Sequence, residues 1–362
     1  MKILHYLPYS YHIHTGGLEK IAQTVADGLT QNHAVETMIF ASDIRRGSGE
    51  DLEKYTDTIF VPSFDLVYNF PFPKFWKKSY WQHFQQIKAF HPEVVVTHTR
   101  FFLQSFIWGL IAKKYKAKRV HVEHGSGFLT GYPRYIRFFA WLFDWTLGLW
   151  IFRQSDEVVT ISQMHQQFIS KFTSKKPHVI YNPVEYQSQK KIKNQTPHIG
   201  FIGRLVPLKG VDLLIRALDE LKGLEWSCTI VGEWSEWEKL KNLVSELWLA
   251  DRISFVGADD RDHRLHKFDV FINPSYQEGL PTTVVEALLA QSIVVATEVG
   301  GTREISDQKD LILVQPGEVE GIKAGILQAL EVLDQSGASL ELVQERFGVE
   351  EAVEKYFRVL SK

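Results

Sequence analysis

A single cysteine, Cys228, stands in 362 residues. This excludes a disulfide framework, a zinc ligand set and a CxxC redox pair, and it predicts a reducing compartment, the cytosol. Net charge is also nearly absent, with 41 Lys+Arg against 43 Asp+Glu. No secretory leader is expected, because the opening MKILHYLPYSYHIHTGG reads as a strand and a polar loop rather than a charged region followed by an apolar core. No apolar run reaches bilayer-spanning length. The nearest approach, within residues 132–154, is short and interrupted by Asp144. A composition of 44% hydrophobic and 23% charged residues is that of a folded globular protein, and it excludes disorder, collagen-like repeats and an integral membrane bundle.

The small net charge conceals an asymmetry. Residues 1–186 carry 21 Lys+Arg against 15 Asp+Glu, and the remainder carries 20 against 28. That excess is too small and scattered for a nucleic-acid stripe, so no nucleic acid is expected as a partner, but it suits anionic lipid or a phosphorylated substrate. The length itself predicts two domains.

Apolar runs rich in Val and Ile alternate with amphipathic segments along the whole chain. Strands are expected at residues 3–7, 35–40, 94–97, 119–123, 158–161 and 198–202, and again at 227–231, 253–256, 270–273, 293–296 and 311–314. This alternation predicts an α/β protein of two doubly wound, Rossmann-like domains whose parallel sheets are covered on both faces. The polar, lysine-rich stretch 184–198 marks the boundary, and the last residues form a closing helix. Ligands of such folds bind at the carboxyl ends of the strands, here in a cleft between the two domains.

Three segments bear on chemistry. In DVFINPSYQEGLPTTVVEALL a strand ends near Pro274 and a helix is expected to open with Pro281 at its first position. Glu278 lies in the loop and Glu286 in the helix; Thr282 and Thr283 occupy the first turn, where orphan amides and the helix dipole receive a diphosphate. Carboxylates accept hydrogen bonds from hydroxyls, so a ligand with a sugar on each side of a pyrophosphate suits the spacing. Two ordinary capping glutamates would show the same spacing. In GFIGRLVPLKGVDLLIRAL, Arg204 and Lys209 flank a strand-to-helix turn after Gly203, and two cations there would neutralise a diphosphate leaving group. In HTGGLEKIAQTVADGL, Gly16 and Gly17 precede a helix and let backbone amides approach a ligand closely.

Taken together, a glycine pair after the first strand, a GR...KG turn and an E-x7-E motif after strand, Pro and Ser resemble glycosyltransferase family 4, a group of retaining enzymes with the GT-B fold. The resemblance covers nearly the whole chain. It implies an acceptor-binding domain over residues 1–186, a nucleotide-sugar-binding domain over 187–344, and a helix over 345–362 packed back on the first domain. It further implies that Arg204 and Lys209, beside Gly203, hold the donor pyrophosphate, that Glu286 binds the ribose hydroxyls and that Glu278 meets the donor sugar. Gly279, Leu280, Pro281 and Thr282 would line the donor, and Gly16 and Gly17 would approach it from the first domain. VHVEHGSGF matches the family's strand followed by His-Gly, which would place His124 near the transferred sugar. The sequence departs from the family at Gly232-Glu233-Trp234, where GDG is usual, and at Asn182-Pro183, where Asn-Gly is common. The DxD pattern within residues 259–262 reads as a helix cap rather than a metal site, and no metal or other cofactor is expected.

The acceptor side of the reading rests on two aromatic segments. FPFPKFWKKSYWQHF, residues 70–84, interleaves lysines with Phe, Tyr and Trp, and residues 132–154 are rich in aromatics; both suit a bilayer interface, with core packing or an acceptor tunnel as the alternative. A UDP-sugar donor, a lipid-linked or polysaccharide acceptor of bacterial surface glycan assembly, and a cytoplasmic enzyme peripheral on the inner membrane face are the resulting expectations. A non-hydrolysing sugar-nucleotide 2-epimerase and a non-enzymatic nucleotide-sugar-binding subunit are the alternatives.

Overall fold

The computed structural model describes residues 1–8, 17–43, 58–65, 71–74, 76–125, 127–128, 134–186, 189–192, 194–257 and 264–362. It divides into two compact units, Met1–Pro183 together with Val349–Lys362, and Val184–Gly348.

The first unit holds β1 (Lys2–Leu7), β2 (Glu36–Asp43), β3 (Thr58–Asp65), β4 (Pro71–Pro73), β5 (Val94–His98), β6 (Lys118–Glu123), β7 (Glu157–Thr160) and β8 (His178–Val179). Their order is β4-β3-β2-β1-β5-β6-β7-β8, and only the β3–β4 pair is antiparallel. Strand order reverses between β1 and β5, the place where such sheets leave a crevice at their carboxyl ends. Residues 3–7, 94–97 and 119–123 are almost wholly apolar apart from polar residues at their ends or at His5 and His121, as strands buried on both faces require. The final helix, Val349–Ser361, closes this unit: Val353, Tyr356 and Leu360 are buried in its core, and the Phe357 ring stacks on His33 with centroids 3.7 Å apart.

The second unit holds β9 (His198–Ile202), β10 (Ser227–Val231), β11 (Ile253–Val256), β12 (Val270–Asn273), β13 (Ile293–Thr297) and β14 (Leu311–Val314). All pairs are parallel in the order β11-β10-β9-β12-β13-β14. The reversal here falls between β9 and β12. Helices Val211–Asp219 and Val319–Glu331 contribute Leu214, Leu218, Ile322 and Ile326 to the core beneath it.

Three strands were not expected. β3 contains Pro62, β4 begins and ends with proline, and β8 has only two residues; proline lacks the ladder donor and confines β4 to the sheet edge. β4 draws part of the 70–84 aromatic segment into the fold, and Tyr80 joins the core, while Trp76 and Trp81 are exposed. Among the described residues no helix is long and apolar enough to cross a membrane.

Candidate functional site

In the second unit the loops that follow β9 and β12 lie side by side because their strands are neighbours at the reversal. The β9 loop turns through a short 3-10 segment, Pro207–Lys209, and ends at Gly210, whose φ of 62° is left-handed. A Cβ on Gly210 would stand 2.3 Å from the Pro274 carbonyl oxygen, so only glycine allows the two loops to meet so closely. The Tyr276 amide donates to Leu208 O at 2.8 Å and joins them. On the far side, Gly300 (φ 56°) presses the turn after β13 against the same loop, and a Cβ there would lie 2.3 Å from Glu278 O and 2.4 Å from Gly279 O. The Gly301 amide donates to Gly279 O at 2.7 Å.

These supports bring Lys209 onto Glu278, Nζ to Oε1 at 2.6 Å, with 22% and 11% of the side chains exposed. Ser275 Oγ is 2.7 Å from the same Oε1 and 2.8 Å from Asn273 Oδ1. One hydroxyl hydrogen cannot serve both acceptors, and Asn273 Nδ2 has no partner. Turning the amide over lets Asn273 Nδ2 donate to Ser275, and Ser275 donate to Glu278. Glu278 is therefore aimed by a hydroxyl and a cation.

Pro281 caps the helix Thr282–Leu289 rather than opening it as its first residue. The first amides to reach back are those of Val284 and Val285, both to Pro281 O, so the Thr282 and Thr283 amides precede the first helical hydrogen bond. Glu286 lies one turn on from Thr282, on the same face, and is 9% exposed. Leu280 is buried and Gly279 half-buried. Gly203 follows β9, and Arg204 beside it is exposed and enters no ion pair among the described residues. The Leu205 amide donates to Glu233 O at 2.9 Å, which sets the Gly232-Glu233-Trp234 loop next to Arg204. Cation, aimed carboxylate and helix amides at one crevice form an anion-binding and hydroxyl-binding surface.

In the first unit His124 follows β6. Gly125 follows it in a tight place, where a Cβ would stand 3.0 Å from Glu123 Oε1 and 3.1 Å from an Arg100 terminal nitrogen. Arg100 is wholly buried; it pairs with Glu123 at 3.1 Å and Asp144 at 2.7 Å and donates to Gly127 O at 2.7 Å. Burial alone would lower its proton affinity, but the two carboxylates raise it, so the charge is kept. Burial would lift Glu123, yet Arg100 and His121 hold it well below the usual carboxylate range. His121 Nε2 donates to Glu123 at 3.3 Å and its Nδ1 accepts from Thr97 at 2.9 Å. His165 Nδ1 accepts a hydrogen bond from the Ser162 hydroxyl at 2.5 Å, and its Nε2 donates to the His124 carbonyl at 3.3 Å. His124 itself is moved down to about 4, by burial first and then by His165 and His121 against Glu123.

Of the expected residues, Lys209, Glu278, Gly279, Leu280, Pro281, Thr282 and Glu286 are gathered at the β9/β12 reversal, with Gly203 and Arg204 on the adjoining turn. Gly17 opens the helix Gly17–Asn32 in the other unit. Gly16 lies outside the described residues, as does the DxD pattern within 259–262. Asp144, expected only as an interruption of an apolar stretch, is turned inward onto Arg100 through a π-helical turn, Asp144–Gly148. Asn273, Ser275 and Gly300 were missed. The Gly300-Gly301 pair was the one sequence signal that marked a tight turn there.

A family model described as Glycosyltransferase Family 4 matches residues 15–188, and one described as Glycosyl transferases group 1 matches residues 184–335. An uncharacterised glycosyltransferase of Methanocaldococcus jannaschii is 27% identical over 98% of this chain and 97% of its own. Among solved structures, sucrose-phosphate synthase from Thermosynechococcus elongatus superposes with a TM-score of 0.78 at 16% identity, covering 99% of this chain and 98% of that one. Anabaena HepE in complex with UDP superposes with a TM-score of 0.77 at 17% identity over the whole of both chains. Both family models and the Methanocaldococcus relative carry glycosyltransferase descriptions, which does not favour the 2-epimerase reading. With two parallel-sheet α/β units of GT-B type and both family models matched in order, the chain belongs to glycosyltransferase family 4 and is a glycosyltransferase.

Proposed function

We propose that the protein transfers a sugar from a nucleotide sugar, a UDP-sugar, to a hydroxyl of a lipid-linked or polysaccharide acceptor in surface glycan assembly, with retention of configuration. The observation that carries the donor side is the Lys209–Glu278 pair at 2.6 Å, beside the open amides of the helix at Thr282. Arg204 and Lys209 receive the pyrophosphate, the Gly279, Leu280 and Thr282 amides assist, Glu286 accepts from the ribose hydroxyls and Glu278 from the sugar. Gly17 and His124 are further substrate contacts. HepE, a structural neighbour, is described in complex with UDP, which supports the choice of nucleotide.

In the reaction, the bond between the anomeric carbon and the leaving phosphate oxygen breaks. The acceptor hydroxyl oxygen bonds to that carbon on the same face, and its proton passes to the leaving phosphate. Arg204, Lys209 and the helix amides carry the developing negative charge, so the proposal assigns no task to a metal. Purified Arg204→Ala plus Lys209→Ala protein that folds and still transfers sugar at near the wild-type rate would refute this assignment. Activity that disappears with EDTA and returns with a divalent cation would refute the metal-independent part.

An anionic membrane surface is the proposed home of the acceptor. The helix Arg134–Phe143 has no buried residue. It and the turn after it present Tyr135, Phe138, Phe139, Trp141, Leu142 and Trp145 to solvent beside exposed Arg134 and Arg137. Its only acid up to Gln154 is Asp144, which faces inward. Aromatic side chains among arginines, with no outward negative charge, match an anionic interface. Flotation with phosphatidylglycerol-containing liposomes tests it: the wild type should float and the Phe138→Ser, Phe139→Ser, Trp141→Ser variant should not. A wild type that stays with the soluble fraction overturns the membrane assignment.

A further inference from the structure

His98 ends β5, beside β6 and its following His124. Its Nδ1 is 3.2 Å from His124 Nε2, and the two rings stack with centroids 5.4 Å apart. On its other face His98 stacks on His5 of β1, centroids 6.0 Å apart. His98 is 3% exposed, and its Nε2 is sealed without a partner. His124 is half-buried, and its Nδ1 is not sealed. The next residue, Thr99, is a β-branched residue at φ 59°, a costly conformation that persists only where its surroundings hold it. The Ser105 hydroxyl reaches both the His98 and Thr99 carbonyls, at 3.1 and 2.9 Å.

We propose that His98 is a positioning residue that fixes the ring tautomer of His124, so that His124 presents Nδ1–H to a substrate hydroxyl. Between two neutral imidazoles one nitrogen must donate and the other accept. If His124 donated from Nε2, the His98 proton would sit on Nε2, a buried N–H with nothing to receive it. Orphaned buried N–H groups are rare. If His98 donates from Nδ1, the orphan is only an unused lone pair, and the His124 proton moves to its open Nδ1. Burial, with His124, His5 and His121 adding to it, keeps His98 neutral, and burial does the same for His124. The carbonyl of His124, held by His165, fixes the backbone while His98 fixes the ring. The hydroxyl to be met is that of the sugar or acceptor, and this last step rests on the function proposed above.

The test is the nitrogen spectrum of full-length protein labelled with 15N-histidine, together with transfer kinetics. In the wild type the His124 ring should carry hydrogen on Nδ1 and none on Nε2. His98→Phe should release this preference and lower kcat by about tenfold or more, the loss of one transition-state hydrogen bond, with UDP affinity unchanged. His98→Asn, whose amide can donate from the same place, should restore both. His124 protonated on Nε2 in the wild type overturns the proposal, as does an unaltered His124 tautomer in His98→Phe. Should His98→Phe fail to fold, the wild-type spectrum and His98→Asn decide the matter. A chain that shows the expected tautomer and transfers no sugar refutes the proposed function and leaves the tautomer assignment standing.

Discussion

Arg100 Nε and Asp144 Oδ1 are 2.7 Å apart with both side chains out of solvent, 44 residues distant in sequence. The contact joins the start of the loop after β5 to the π-helical turn that follows the aromatic helix. Removing one partner of a buried pair leaves an uncompensated charge, a loss of about 3–5 kcal/mol. Arg100→Met should therefore destabilise the protein by about that amount in urea denaturation, because Glu123 and Asp144 lose their counter-charge together. Asp144→Asn should cost less, since Arg100 keeps Glu123.

Lys209 and Glu278 should be separable by kinetics. With Lys209 on the donor pyrophosphate as proposed, Lys209→Ala removes a charge-assisted hydrogen bond to phosphate, worth about 1.5–3 kcal/mol. UDP affinity by calorimetry should fall about tenfold to a hundredfold. Glu278→Gln keeps the hydrogen bond from Ser275 but changes what the sugar hydroxyls meet, so kcat should fall while UDP affinity changes little. Because the two side chains touch, the double variant should lose less than the sum of the single losses. Strict additivity would show that the 2.6 Å contact plays no part in binding.

The second unit's strands could be read from sequence because a parallel strand buried on both faces is a short apolar run, as at residues 270–273 and 293–296. β3 and β4 were hidden for the opposite reason: Pro62, Pro71 and Pro73 look like breakers, and their placement near a sheet edge is a tertiary fact. The site shows the same division. Glu278 and Glu286 announce themselves by spacing along one loop and helix, but the Lys209 contact depends on β9 and β12 being neighbours. The Arg100 cluster leaves still less trace, since Arg100, Glu123 and Asp144 sit in three segments and each looks like an ordinary surface charge.

Gly300 gives a test of how Glu278 is held that does not touch Glu278. Its φ of 56° disfavours any side chain, and a Cβ would stand 2.3 Å from Glu278 O and 2.4 Å from Gly279 O. Neither carbonyl can swing away as a flexible side chain would. Gly300→Ala should shift that loop and lower kcat at least about tenfold, in line with the sensitivity of catalysis to small displacements. The melting temperature should fall as well, by several degrees, because a side chain at an incompatible φ costs more than about 1 kcal/mol. Wild-type turnover in Gly300→Ala would show that the loop's position is not critical.

His5 makes the fold sensitive to acid. It is buried beside His98, neither of its ring nitrogens has a partner, and burial lowers it from 6.5 to about 4. The unfolded chain takes up this proton near pH 6.5, whereas the folded protein resists until about pH 4. Stability is thus complete above pH 6.5 and is lost as the pH falls from there toward 4, by about 3 kcal/mol for this group. His98 and His124 are lowered as well and act in the same direction. His5→Phe keeps a ring in the stack and removes the titration. The urea midpoint of His5→Phe should therefore decline less steeply with acid than that of the wild type, with the residual slope due to the other two histidines. Equal slopes in the two proteins would mean that His5 is already protonated, or partnered, in the folded state.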